Sequence, residues 1–269
     1  MSILKFRTLF TNFLKSPQVI LDKISKRLFD NRTSLSNADL NVWLEDNKSD
    51  LDTFCKSINE ELWIESNLES IVIKEVSNEK LSLIPFELGG GGAYPFLYFL
   101  IRLLKPNVVF ETGVAAGYSS FSILKALNKN NYGRLYSSDF PYFRIPNPEN
   151  YIGILVPEDL KYRWDLFIKG DKNNFIEIKK LVSKIDILHY DSDKTYTGRE
   201  LPLKYFKNEL KSSTILIFDD IQDNSHFHDL VKDLDRSKWK IFPFENKWFG
   251  FIGSLFPSHS YQNINFTNL

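Results

Sequence analysis

Four aspartates fall in two short stretches, Asp191 and Asp193 in HYDSDKTYTGRE (189–200) and Asp219 and Asp220 in ILIFDDIQDN (215–224). Carboxylates gathered in one crevice repel unless they share a proton or hold a cation. Ligands that are all oxygen suit Mg²⁺, with water and substrate filling the rest of an octahedron. A single Asp at a strand tip often does no more than cap the next helix. An Asp-x-Asp facing an Asp-Asp is better explained by a site.

A second constellation lies in VVFETGVAAGYSSFSIL (108–124), where Glu111 precedes Gly113 and Gly117. A phosphate-binding loop needs G-x-x-x-x-G-K-[ST], but here three residues separate the glycines and no lysine follows. A dinucleotide fingerprint needs G-x-G-x-x-G, and Ala115 stands at its middle glycine. A carboxylate at a strand tip, aimed into the crevice, repels a pyrophosphate and suits a cationic ligand such as S-adenosylmethionine, which carries a sulfonium and an ammonium and no phosphate. Asp139 ends the next β-rich run, where it can accept two hydrogen bonds from ribose hydroxyls.

The elements that would position these residues are β-rich runs at 108–112, 134–139, 165–170, 185–191, 214–220, 239–244 and 248–253. The early runs are apolar throughout their middles, as strands covered on both faces are. Helical stretches are expected between the first five, and only ENK joins the last two. The pattern predicts an α/β fold, a Rossmann-like doubly wound parallel sheet ending in an antiparallel hairpin. Ligands of such sheets bind beyond the carboxyl ends of the strands, at the switch point beside the first strand.

The E-x-G-x-x-x-G turn with Asp139 resembles the first two motifs of class I S-adenosylmethionine-dependent methyltransferases, whose sheet has seven strands with the last reversed. The resemblance implies that Glu111, Gly113 and Gly117 line the methionine side, that Asp139 holds the ribose, and that Gly170 and Asp171 lie near the adenine. The paired acids are similar to those of small-molecule O-methyltransferases of the macrocin and aminocoumarin type. In that branch the resemblance makes Asp191, Asp219 and Asp220 magnesium ligands and Asp193 the base that takes the substrate proton, with Asp191 beside it in the catalytic group. Related sequences often read D-x-D-H, whereas Lys194 follows Asp193 here, so either Asp193 or Lys194 handles the proton. The similarity runs over roughly residues 85 to 235, including VPEDLKYRW (156–164).

Three other readings share these residues. Asp191-Ser-Asp193 also looks like the D-x-D of a metal-dependent glycosyltransferase, although Glu111 disfavours a nucleotide diphosphate. An NAD-dependent oxidoreductase would share the sheet but lacks the middle glycine. The third is a non-catalytic binding protein on the same frame.

Other polar residues have plainer expectations. His189 falls inside a strand, as a hydrogen-bonded core histidine. His226 and His228, two apart, face different sides of a helix and do not pair as zinc ligands. Tyr196 and Arg199 open the helix after Asp193, within reach of a sugar hydroxyl or an acidic group. The glycines at 89–92 suit a hinge or a lid over the methionine end.

The chain has 269 residues, 43% hydrophobic and 25% charged, and its 34 basic and 34 acidic residues cancel. This is enough for one α/β domain with an extension, and the balance suggests no nucleic-acid partner. One cysteine, Cys55, excludes an internal disulfide and suits a reducing cytoplasm. Residues 1–85 read as a helical N-terminal extension and 86–269 as the Rossmann-like domain. Asn37 or Asp39 is expected to cap the helix that follows. The basic N-terminus sets Leu4, Phe6, Leu9, Phe10, Phe13 and Leu14 at helical spacing, which suits docking on the domain, a partner subunit of a homo-oligomer, or peripheral contact with an anionic membrane. The acceptor is expected to be a small molecule, a sugar or glycoconjugate among the options.

Overall fold

A computed structural model describes residues 11–255, apart from 12, 15, 16, 31 and 143. The apolar positions expected at Leu4 to Phe10 lie outside the described residues. The first strand, β1 (Val108–Thr112), is a run of β-formers with no polar residue before Glu111, and it is an interior strand, third from one edge of a seven-stranded sheet. Around it stand β2 (Arg134–Ser138), β3 (Trp164–Phe167), β4 (Ile185–Tyr190), β5 (Leu210–Phe218), β6 (Trp239–Phe244) and β7 (Lys247–Ile252), in the order β3-β2-β1-β4-β5-β7-β6. Pairings among β1 to β5 are parallel, and β7 runs antiparallel to both β5 and β6. The strand order reverses between β1 and β4, which places the switch-point crevice over the ends of these two strands.

Successive strand residues enter opposite cores, the period-2 consequence of the pleat. Val109, Ile187, Ile215 and Ile217 pack under α3 (Leu51–Ser82), α4 (Tyr94–Leu104) and α5 (Tyr118–Asn130). Phe110, Leu188, Leu216 and Phe218 pack under α2 (Asn37–Asn47), α6 (Asp171–Leu181), α7 (Tyr196–Tyr205) and α8 (His226–Val231). Because α2 contributes Leu40 and Leu44 to one core and α3 contributes Trp63 and Ile73 to the other, the N-terminal helices bury side chains against both faces of the sheet. The first described helix, α1 (Pro17–Phe29), lies at the carboxyl end of the strands.

Two local expectations are corrected. Ser36, not Asn37 or Asp39, caps α2 by accepting the Asp39 N–H, and the helical run then breaks so that Asp50 caps α3. Among the described residues no α-helix joins β2 to β3. Pro148, Gly153 and Pro157 interrupt that stretch, which forms only 3₁₀ turns at Pro148–Tyr151 and Glu158–Arg163. Among the described residues no helix is long and apolar enough to cross a membrane.

Candidate active site

The turn after β1 is built on positive φ angles. Gly113 (φ 82°) leads it, and Gly117 (φ 102°) starts α5. A Cβ on Gly113 would stand 2.2 Å from the Asp191 carbonyl oxygen, so the ends of β1 and β4 approach closely only because that residue is bare. Ala115, at the middle-glycine position of a dinucleotide loop, also adopts positive φ (50°). The N–H groups of Val114 and Ala115 point to one place, and there Asp139 Oδ2 accepts both, at 2.9 and 2.7 Å. Asp139 therefore shapes the turn.

Glu111 does not face the crevice. Strand alternation turns it to the α4–α5 side, where it is fully buried and accepts hydrogen bonds from Ser119 (2.6 Å), Ser120 (2.6 Å) and Ser137 (2.8 Å). His189 Nδ1 lies 3.5 Å away, too long for a good hydrogen bond but close enough for charge attraction. Burial pushes the His189 imidazole down, and Glu111 outweighs it, leaving the imidazole above its ordinary value. Glu111 thus ties β1, β2, β4 and α5 together beneath the turn rather than lining the methionine side.

Gly170 (φ 83°) caps α6, and Asp171 accepts from Ser138 Oγ (2.6 Å) and Ser192 Oγ (2.8 Å). These contacts tie the end of β2 and the segments that follow β3 and β4 to one carboxylate. Above the turn, the Gly89 N–H donates to Tyr142 Oη at 3.1 Å, and Gly92 passes so close to Asp219 that a Cβ there would lie 3.2 Å from the carboxylate. The glycine run therefore lies over the acids as well as over the turn.

Asp191, Asp219 and Asp220 converge, with one carboxylate oxygen of each within 4.8 Å of the others. Asp193 does not join them. Its Oδ1 accepts the Thr195 N–H (3.1 Å), and its side chain faces a separate cavity beside Gly170. The loop that turns it away is held by Tyr190, which donates to the Asp193 carbonyl at 2.6 Å, and by Asn224, which donates to that of Lys194 at 2.6 Å.

Lys194 occupies the position beside the acids instead. Its ammonium contacts Asp191 Oδ1 and lies 2.9 Å from Asp220 Oδ2. A second cation, Lys247, stands 3.2 Å from Asp220 Oδ1 and 3.8 Å from Asp219 Oδ2. Against these two ammoniums, Asp219 is the odd member. Burial, then the neighbouring Asp191, push its carboxyl up to about 7. Burial also acts against ionised Asp220, but Lys194 and Lys247 overcome it and hold that carboxyl below its usual range. Burial lowers Lys194, and Asp191 with Asp220 more than reverse this, so the ammonium is retained.

Would a cation fit? The donor set is oxygen only, and Asp219 Oδ2 is buried with no hydrogen-bond partner among the described residues. That is the donor chemistry of a hard divalent ion. The two lysines supply the compensating charge in its place.

Several neighbours take other roles than expected. Arg199 is 1% exposed and reaches no solvent-filled space; it donates to the carbonyls of Asp219 (2.8 Å) and Asp220 (2.6 Å). It fixes the main chain that carries the acids, including Asp220 at φ 52°. Tyr196 donates to Asp229 (3.1 Å) and meets the His226 ring edge-on. Burial, then Arg199, push His226 down to about 3, which keeps it neutral. His228 packs edge-on against Trp43. None of these three rings enters the acid cluster.

Lys247 was not foreseen. It is the first residue of β7, and because β7 runs opposite to β5 its beginning lies at the carboxyl edge of the sheet.

Residues 110–221, from β1 through the Asp219-Asp220 pair, match the family described as "Methyltransferase domain". That stretch is similar to a methyltransferase domain. Among solved structures, a methyltransferase from Geobacter sulfurreducens is 19% identical, with 81% of this chain and 97% of that one covered and a TM-score of 0.47. The O-methyltransferase TomG from Streptomyces achromogenes, involved in tomaymycin synthesis and solved with SAM, is 12% identical over 78% of this chain and 98% of its own, with a TM-score of 0.48. An SAH-bound methyltransferase from Podospora anserina is 13% identical over 68% and 87%, also with a TM-score of 0.48. No curated protein sequence matches the chain. Within the matched stretch the acid cluster sits at the carboxyl ends of β4 and β5, and β4 pairs directly with β1, which leads into the glycine turn.

Proposed function

We propose that the chain is an S-adenosylmethionine-dependent O-methyltransferase acting on a hydroxyl of a sugar or other small molecule. The observation that carries the reading is the convergence of Asp191, Asp219, Asp220 and Lys194 beside the Gly113–Gly117 turn, within a stretch similar to a methyltransferase domain.

In this reading the bond from the sulfonium to the methyl carbon breaks as the bond from that carbon to the acceptor oxygen forms. S-adenosylhomocysteine leaves, and the hydroxyl proton must pass to a nearby group. Alignment of the two reactants supplies most of the barrier reduction. Lys194, held among the acids, is the group we assign to the proton, which it accepts as the neutral amine after giving up its own proton, and Asp193 is set aside because it faces elsewhere. Asp191, Asp219 and Asp220 would hold Mg²⁺. Bound there, the ion would acidify the acceptor hydroxyl and offset the carboxylate charge that keeps Lys194 protonated. The separation of Asp191 from Asp193 speaks against a glycosyltransferase, in which both acids of a D-x-D act on one nucleotide diphosphate.

Calorimetric titration with S-adenosylmethionine, S-adenosylhomocysteine, NAD and UDP, each with and without Mg²⁺, tests the reading. Binding of both adenosyl-sulfur compounds, with no heat from the other two, is the expected result. Binding of UDP alone, dependent on Mg²⁺, would overturn it.

We further assign residues 1–85 as an extension of a domain spanning 86–269. The cytoplasmic location, the homo-oligomer and peripheral membrane contact through the N-terminus rest on composition and helical spacing alone.

A further inference from the structure

A cavity of about 240 Å³ opens at the end of β3. Its inner side is formed by Gly170, Asp171, Asn173, Asp193 and Leu201, and its outer side by Gln18, Val19 and Asp22 of α1. The volume falls short of the ~300–1,000 Å³ that encloses a whole drug-sized ligand. It suits one end of the cofactor, and the lining shows which end. Val19 and Leu201 offer apolar surface to a flat ring, while Gln18, Asp171 and Asn173 offer donors and acceptors to a ring edge. The methionine end of the cofactor, two charges on a flexible chain, has no use for the apolar pair.

Helix α1 is seated here by specific packing. Val19 Cγ1 lies 3.0 Å from where a Cβ on Gly170 would be, so the helix rests directly on the bare backbone of the cavity floor. Asp22 pairs with Lys172 at 2.7 Å, and Ile20 is buried. The chain that leaves α1 is fastened to α7 and α8. Asp30 accepts the Thr197 N–H (2.6 Å), Arg32 pairs with Glu200 (3.2 Å), and the Ser34 N–H donates to Ser225 Oγ (2.8 Å).

From this we infer that α1 is the outer wall of the adenine pocket, and that Val19 is a residue for binding the nucleoside half of the cofactor. The inference rests on the cofactor reading above and extends it to a segment outside the methyltransferase-domain match, which begins at residue 110.

Calorimetry on the full chain with S-adenosylhomocysteine and with 5′-methylthioadenosine, which keeps the nucleoside and lacks the amino-acid end, tests it. Val19→Trp and Gln18→Trp fill the cavity from different positions, and Leu28→Trp alters the same helix at a site 64% exposed. Both cavity variants should bind both compounds at least about tenfold more weakly, which is about 1.4 kcal/mol, and Leu28→Trp should bind them as the unaltered chain does. Unchanged affinity in both cavity variants would overturn the wall and leave the cofactor reading standing. Equal losses in all three variants would also overturn it, since the effect would then be general to the helix. No binding of either compound by the unaltered chain would overturn the cofactor reading and the wall with it.

Discussion

Replacing Asp219 with Asn should remove one defined pH-dependent contribution to the protein's stability. The Asp219 carboxyl is pushed up to about 7 in the folded chain, against roughly 3.9 in an unfolded one. The sign follows from the direction. A folded state that holds the proton more tightly than the unfolded state has its full share of stability below about pH 4 and loses it as the pH rises to about 7. Three units at about 1.36 kcal/mol each give a ceiling of ~4 kcal/mol, and relaxation of the two nearby lysines on ionisation brings the expected change to about 2–4 kcal/mol. In the unaltered chain this loss is masked. His226, pushed down to about 3, contributes the opposite slope between roughly pH 3 and 6.5. The difference between Asp219→Asn and the parent cancels His226 and isolates Asp219. Urea unfolding of both proteins at several pH values from about 4 to 8 provides the measurement. The variant should gain on the parent by 2–4 kcal/mol, on the order estimated above, as the pH rises. A flat difference would show that Asp219 is not perturbed. A variant that instead loses ground would show that Asp219 is ionised and well paired, which would refute the account of the cluster. Millimolar Mg²⁺ should stabilise the parent above neutral pH and the variant much less, by ligand linkage.

Other perturbations test the remaining parts. Gly113→Ala combines a positive φ with a collision against the Asp191 carbonyl, and should cost about 3 kcal/mol or more in thermal or urea unfolding. Arg199→Met leaves two buried carbonyls without their charged donor and should cost about 3 kcal/mol, with a loss of turnover as the acids shift. Lys194→Met should lower methyl transfer on the order of 100-fold while S-adenosylhomocysteine affinity stays within about threefold. Equal turnover in that variant, measured on any acceptor found, would remove Lys194 from the proton step.

The sheet was legible because its strands are buried on both faces and read as apolar runs between breaks. The strands observed differ from the expected runs mainly at their ends, by as much as four residues at β5, which begins at Leu210. What was not legible depended on direction and on partners far along the chain. Glu111 lies at the tip of β1 as expected, but whether a tip residue faces the crevice or a core is set by strand alternation. The sequence did carry a clue in Ser119 and Ser120, two hydroxyls in the first turn of the next helix, where the start of α5 can deliver them to the carboxylate. Asp191 and Asp193 are two apart and were read as one motif. In an extended strand they would share a face. The chain has left β4 by then, and the Tyr190 and Asn224 bonds bend it so that the two side chains part. Lys247 joins the acids only because the final hairpin runs backwards, a long-range consequence of topology.

Glu111 and Asp219 are two buried acids at the tips of strands two apart in one sheet, and their contrast shows where this chain holds its unspent polar energy. Glu111 is fully buried and receives three hydroxyl hydrogen bonds. A carboxylate so provided is a structural joint, and the turn above it gains a fixed shape. Asp219 is 2% exposed, close against Gly92, and leaves Oδ2 without a hydrogen bond among the described residues. Filling that gap would have been easy: a serine in place of Gly92 would put a hydroxyl near the carboxylate. The glycine instead keeps the approach to Asp219 bare, and Arg199 spends its two bonds on the main chain rather than on the carboxylates. The cost of an incompletely satisfied buried acid, about 1–3 kcal/mol, is thus carried at a place where a cation or an acceptor hydroxyl would relieve it. That placement is the physical reason to regard the three acids as a site and Glu111 as scaffold.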